Sequence, residues 1–438
     1  MIGLVVAGLM QAAVPQTCIA ALCDAERLRP FVDRLARAQG DGEPVRIVQI
    51  GDSHTAGDQI TGSWRTLLQA RYGSGGRGVL PPGRPYAGYL TRGVTAGMSD
   101  GWSVNGIFGG AYRPAGAPPI GVSGYSLTNT RLGAAMTIAA DGPAQMFDRF
   151  TVCSLRRPGA GTLTLAAGAV SQVWPLAADR DEGECRTIDL DAPVSAASVA
   201  VAAGTATITS WATERRGRGG VTLSNLGTVG AQFVHVRRTD EVVAANELRT
   251  YAPDLIVLAF GTNEAFWPGF TPTGYDGTLR ADVSRIRRLA PGVPILLLGA
   301  PDSATRTPSL MTLGGIASPA CGAVPIDTAV PPVRRPGEVV QPLPAAQSSG
   351  WRPTAALAGV QAIQRRVAHD LGLAYWDWAR AMGGRCTAHR WVTDPAPLMR
   401  GDHVHFTSRG GAAIAQALQA DLDAALLAPS TLHVPAVH

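Results

Sequence analysis

Three distant segments carry side chains able to do nucleophilic chemistry together. In QIGDSHTAGDQI (49–60), Ser53 lies in a turn between Asp52 and His54, directly after Gly51. A serine hydroxyl is a poor nucleophile until a base takes its proton, so Ser53 requires an imidazole within hydrogen-bond reach and a carboxylate to orient that imidazole. RGDHVHFTSRGG supplies both. Asp402 stands three residues before His405, a spacing that lets two side chains of a loop or first helical turn face the same way, while His403 points elsewhere. Acyl transfer also places negative charge on a carbonyl oxygen, which needs donors already in position. Candidates are the N–H of Ser53, the N–H of Gly230 in SNLGTVGAQF and the side-chain amide of Asn263 in LAFGTNEAFW. The expected catalytic set is Ser53, Asp402 and His405, with an oxyanion hole from Ser53, Gly230 and Asn263.

Other side chains near these segments have competing readings. Phe266 and Trp267, just past Asn263, are candidates for lining a sugar or acetyl pocket. His54 is a further substrate-binding candidate, with a packing or loop contact as the blander assignment. Asp52 and Asp58 are expected to hold the turn and the helix start by accepting backbone N–H groups. Trp64, Trp376, Trp378 and Trp391 read as core. His389, His403 and His405 lack the spacing of metal ligands, so neither metal nor cofactor is expected.

The elements that must position these residues form an α/β frame. VRIVQI before Gly51 is a β-branched run with no charge after Arg46, as in a strand covered on both faces, and Asp58 to Tyr72 has helical spacing of Ile60, Trp64, Leu67 and Leu68. Ser53 therefore falls at the carboxyl end of a strand, the edge where open parallel sheets bind ligands. YAPDLIVLAFG and VPILLLGAP are further buried strands separated by the helical TLRADVSRIRRLA, an alternation that implies parallel strands with crossover helices. Between these parts the texture changes. AAMTIAA, RFTVCSL, GTLTLAAG, ASVAVAAG and TATITSWAT read as successive strands divided by turns, a small β-sandwich. We expect a discontinuous α/β domain (26–95 and 215–428) with a β-sandwich inserted at 96–214, a Pro/Gly-rich surface loop at 303–350 and an unordered tail at 429–438.

The chain has 438 residues, 46% of them hydrophobic and 16% charged, with 52 Gly and 32 Pro, so it is globular and loop-rich rather than disordered. Every basic residue is arginine, and the formal charge of +5 is scattered; Arg215, Arg216 and Arg218 read as a solvated face, and no nucleic-acid partner is expected. MIGLVVAGLMQAA is too short to span a bilayer and resembles a truncated secretory signal, so residues 1–25 are assigned as a signal or N-terminal segment, with no integral membrane span. The six cysteines match no zinc pattern. Cys18 with Cys23, Cys153 with Cys185 and Cys321 with Cys386 is the expected pairing, with the other connectivities open.

GDSHTAG, the glycine block ending at Gly230, GTNEA and DHVH, in that order, resemble the four blocks of the SGNH (GDSL) hydrolases. The resemblance covers about Val45 to Gly101 and Thr213 to Leu426. It implies a three-layer α/β/α sandwich with a parallel sheet of the flavodoxin-like type, and the triad and oxyanion roles given above. GDSHTAGD, WATERRGRGGVTLSNLGTVGA, GTNEAF and a carbohydrate-module-like β insertion look most like the peptidoglycan O-acetylesterases of Gram-negative periplasms. Many superfamily members carry Asp where this chain has Glu264; the esterase subgroup shares the Glu. The resemblance implies a periplasmic or secreted serine esterase acting on an acetylated glycan, foremost the muramyl O-acetyl groups of peptidoglycan. Rival readings are an O-acetyltransferase of a cell-wall or exopolysaccharide, an acetylxylan-type esterase and a non-catalytic glycan-binding protein. Oligomeric state is left open.

Overall fold

The computed structural model describes residues 16–40, 42–322 and 350–427. Five parallel strands form its centre: β1 (Val45–Gly51), β2 (Val221–Gly227), β3 (Leu255–Ala259), β4 (Ile295–Leu298) and β5 (Ala374–Trp376). Their spatial order is β2-β1-β3-β4-β5, so the chain leaves β1 toward one side and returns to its other side with β3. Such a reversal opens a crevice at the carboxyl ends of β1 and β3. The hairpin Cys18–Ile19 and Leu22–Cys23 extends the sheet beyond β5. Part of the segment 1–25, expected to be a signal or N-terminal segment, belongs to the sheet, while the apolar stretch before residue 16 lies outside the described residues.

The strands alternate their side chains between two helical layers, as a sheet with both faces covered must. Val45, Ile47, Leu223 and Val257 pack with Ile60, Trp64 and Leu68 of the helix Ile60–Tyr72 and with Ile414 and Leu418 of Ser408–Leu427. Val48, Ile50, Ile256 and Leu258 face Leu248 of the helix Glu241–Tyr251, Leu279, Val283 and Ile286 of Pro272–Leu289, and Val360 and Val367 of Leu357–Asp370. Burying each such aliphatic side chain contributes about 1.5–3 kcal/mol. The result is the expected three-layer α/β/α sandwich.

A second core lies between two antiparallel sheets, one of five strands and one of six, built around Trp174, Trp211, Phe147 and Phe150. This sandwich starts earlier than residue 96. Gly76–Leu80 pairs with Ala206–Glu214, and the sheets also include Val94–Met98. Glycine is what this pairing needs: Gly76 has φ +105°, and a Cβ there would lie 2.6 Å from the Cα of Glu214. Glu247 fastens the sandwich to the α/β layers, its buried carboxylate accepting from Thr209 Oγ1, Ser210 Oγ and Val122 N. The expected surface loop is described up to residue 322, where it holds a small hairpin (Thr312–Leu313 with Ile316–Ala317); residues 323–349 and the tail 429–438 lie outside the described residues. All six cysteines are paired as Cys18–Cys23, Cys153–Cys185 and Cys321–Cys386.

Candidate active site

The sharp turn after β1 follows from Gly51. A Cβ there would stand 2.2 Å from Thr55 Oγ1 and 2.7 Å from the Ala259 carbonyl oxygen, so only glycine lets β1 end against β3 and turn at once. Asp52 then accepts the His54 N–H at 2.9 Å and starts the short helical turn Ser53–Ala56. Asp58 behaves differently from the cap expected of it. The helix begins at Ile60, and the fully buried Asp58 carboxylate pairs with Arg65 at 2.9 Å and Arg77 at 3.3 Å while accepting from Thr61 Oγ1. Burial pushes its pKa up, but the two guanidinium groups overcome this and hold it low.

Ser53 Oγ lies 2.9 Å from His405 Nε2, and His405 Nδ1 lies 2.8 Å from Asp402 Oδ2. The second Asp402 oxygen accepts the N–H groups of Val404 and His405, each at 2.9 Å, so this carboxylate fixes its own loop as well as the ring. Burial alone would raise its pKa; the bonds from the His405 ring and these N–H groups outweigh that and keep it well below the ordinary carboxylate range. His403 indeed points away, with φ +59°, stacked between Trp351 and His389. The order hydroxyl, imidazole, carboxylate is the arrangement that lets a serine lose its proton as it attacks a carbonyl.

Gly230 and Asn263 stand on the loops after β2 and β3, the two strands flanking β1, so all three segments meet at one sheet edge. Gly230 has φ +78°, and a Cβ there would strike the Phe108 ring at 2.6 Å. Asn263 Nδ2 donates to the Ala231 carbonyl at 2.9 Å, and Gln232 Nε2 donates back to the Asn263 carbonyl at 3.2 Å. Glu264 reinforces this link, its two oxygens accepting the N–H groups of Phe233 and Gly261. Burial raises its pKa to about 7 against the pull of those donors.

Two clefts adjoin the triad geometry. One, of about 210 Å³, holds Ser53 and His405 beside Tyr86, Leu90, Val229 and Arg400. The other, of about 650 Å³, is lined by Gly230, Asn263, Phe266, Trp267, Phe108 and His235 among others. Consecutive residues Val229 and Gly230 belong one to each. Trp267 is 53% exposed. The ring of His235 stacks on Phe108 at 4.6 Å, and burial beside Arg238 lowers its pKa to about 4, so it is neutral at physiological pH. His54, a substrate-binding candidate on sequence, is instead buried at the back of the first cleft with both ring nitrogens engaged, Nδ1 by Asp52 and Nε2 by the Val404 carbonyl. Tyr86, Leu90 and Phe108 had no signal in the sequence: they come from the inserted segment and reach the cleft only through the seam between sandwich and sheet.

The model of the GDSL-like lipase/acylhydrolase family matches residues 195–413, half of the chain. The chain belongs to that family. The matched span carries Gly230, Asn263, Asp402 and His405, while Ser53 precedes it on the far side of the inserted strands. A solved peptidoglycan O-acetylesterase is similar over 91% of this chain and 96% of its own, with 26% identity and a TM-score of 0.68. A salicylyl-acyltransferase from a tetracycline biosynthetic pathway (15% identity, TM-score 0.32, covering 80% and 98%) and a family two carbohydrate esterase from Cellvibrio japonicus (12%, 0.27, covering 76% and 98%) are more distant. No curated protein matches the sequence. The family and the esterase relative make this GDSL protein an esterase.

Proposed function

We propose that this GDSL-family esterase removes O-acetyl groups from a glycan, with the muramyl O-acetyl of peptidoglycan as its substrate, through an acetyl-enzyme on Ser53. The observation that carries the reading is the continuous hydrogen-bonded chain from Ser53 Oγ through His405 to Asp402 at the sheet edge shared by Gly230 and Asn263. His405 takes the Ser53 proton as the oxygen attacks the acetyl carbonyl. The N–H groups of Ser53 and Gly230 and the amide of Asn263 receive the oxyanion, and the protonated His405 hands its proton to the departing sugar oxygen. Water then attacks the acetyl-enzyme, giving its proton to His405, which returns one to Ser53 as acetate leaves. Phe266 and Trp267 give the larger cleft aromatic faces suited to a sugar ring.

Similarity to a peptidoglycan O-acetylesterase along most of both chains supports the choice of polymer. Three disulfides support a periplasmic or secreted location, because oxidising compartments keep such bonds. The test is acetate release from O-acetylated peptidoglycan beside acetylated xylan, with wild type and Ser53→Ala. The reading expects release from peptidoglycan by wild type alone. Equal release by Ser53→Ala removes the nucleophile, and release from xylan only removes the substrate.

A further inference from the structure

His54 follows the nucleophile directly, yet the mechanism above gives it no part. It is buried at 5% exposure, and its ring is walled by Trp378, Phe406 and the His405 ring at centroid distances of 5.4 to 5.6 Å. Its two nitrogens meet acceptors: Nδ1 lies 3.1 Å from Asp52 Oδ1 and Nε2 lies 3.0 Å from the carbonyl oxygen of Val404. A neutral imidazole carries one N–H and would turn a lone pair toward the other oxygen. A carbonyl oxygen has no proton to give, and the Oδ1 atom of Asp52 already accepts the His54 backbone N–H. With imidazole intrinsically more basic than a carboxylate, the extra proton rests on the ring. Of the other titratable groups nearby, Asp402 on the loop opposite favours a charged ring, whereas His405, 5.4 Å away ring to ring, opposes it during the moments it holds the Ser53 proton. Burial opposes the ring's charge, but the Asp52 carboxylate, the Val404 carbonyl and Asp402 together raise its pKa above the ordinary value.

The two links nearest the nucleophile between the serine turn and the histidine loop thus differ in kind. Ser53 to His405 is the reacting one. It is lost once Ser53 Oγ carries an acyl group, because the hydroxyl proton is gone. His54 to Val404 runs beside it, one residue along on each segment, and takes no part in the chemistry. We propose that His54 is a positioning residue, a doubly protonated imidazolium that holds the His405 loop in register with the serine turn while Ser53 is acylated. The inference rests on the proposed acetyl-enzyme mechanism.

Its signature is a step-specific defect. Acylation starts with both links made, whereas deacylation starts with the Ser53 link gone and the His54 link the one remaining beside the reacting centre, so its loss slows the second step more. With 4-nitrophenyl acetate, His54→Phe should lower kcat about tenfold or more and show a burst of nitrophenol approaching one per active site as acetyl-enzyme accumulates. His54→Gln, whose amide nitrogen can still donate to Val404, should recover most of the rate. In wild type, nitrogen-15 NMR should find both His54 ring nitrogens protonated at pH 7. Equal slowing of both steps in a folded His54→Phe, or no rescue by Gln, overturns the positioning role; a single ring N–H at pH 7 overturns the imidazolium. Ser53→Ala separates the two levels, since its retained activity would refute the underlying mechanism rather than the role of His54.

Discussion

One carboxylate oxygen of Glu264 accepts the backbone N–H of Phe233 at 2.7 Å, joining the loop that bears Gly230 to the loop that bears Asn263. The other oxygen accepts Gly261 N–H at 2.9 Å, so the side chain holds both candidate oxyanion segments. It does so while buried, which raises its pKa from 4.5 to about 7. A raised folded-state pKa stabilises the fold below the unfolded value and ceases to do so as pH climbs through the folded one. Glu264 should therefore contribute full stability below about pH 4.5 and lose it by about pH 7, a change on the order of 3 kcal/mol. Glu264→Gln should flatten that part of the stability curve, measured by thermal unfolding from pH 4 to 8. It should also lower kcat, because an amide has one acceptor oxygen for two N–H groups. A curve of unchanged shape would show that Glu264 titrates elsewhere.

Asn263 donates one amide proton to Ala231, leaving the other for an oxyanion. Asn263→Ala should reduce kcat for a small acetyl ester by about 10² to 10³, with KM little changed. Circular dichroism checks that the fold survives; a rate within twofold of wild type would take the amide out of the oxyanion hole.

Asp402 both orients His405 and caps its own loop, yet its side chain is 46% exposed, so water can partly replace it. Asp402→Asn should lower kcat by about 10² or more, short of the roughly 10⁴ known where a triad carboxylate is fully buried. Steady-state kinetics decide the matter, and an unaltered kcat would demote the residue to loop capping.

Trp267 and Phe108 face the larger cleft from opposite domains. Replacing either by alanine should weaken action on acetylated peptidoglycan about tenfold through KM, while hydrolysis of 4-nitrophenyl acetate stays within twofold. Matching losses on both substrates would mean that the cleft shapes the reacting centre instead of gripping sugar. The insertion is then a wall of the cleft as well as a module beside it.

Much of this protein was legible in the chain itself. Apolar runs, free of charge after Arg46 in the first, marked β1 and β3, because strands covered on both faces rarely bury a charge. Turn residues directly after those runs located Ser53 and Asn263, and the i, i+3 spacing paired Asp402 with His405. Those signals are local. What the chain could not disclose depends on surfaces meeting from far apart. The glycines at 76 and 78 serve a strand, and only its contacts with Glu214 on one side and Ser224 on the other reveal how little room there is. Asp58 looked like a helix cap, and only the fold brings Arg77 to it. Tyr86, Leu90 and Phe108 enter the clefts because the sandwich is fastened to the α/β layers, in part by Glu247, and His54, with Asp52 beside it in the same turn, gains its second acceptor only from the distant loop at 404. Sequence determined which groups could react, since that resides in residue type and short spacing. Tertiary structure decided which of them are held, charged and walled in, since burial and hydrogen bonding belong to contacts between distant segments.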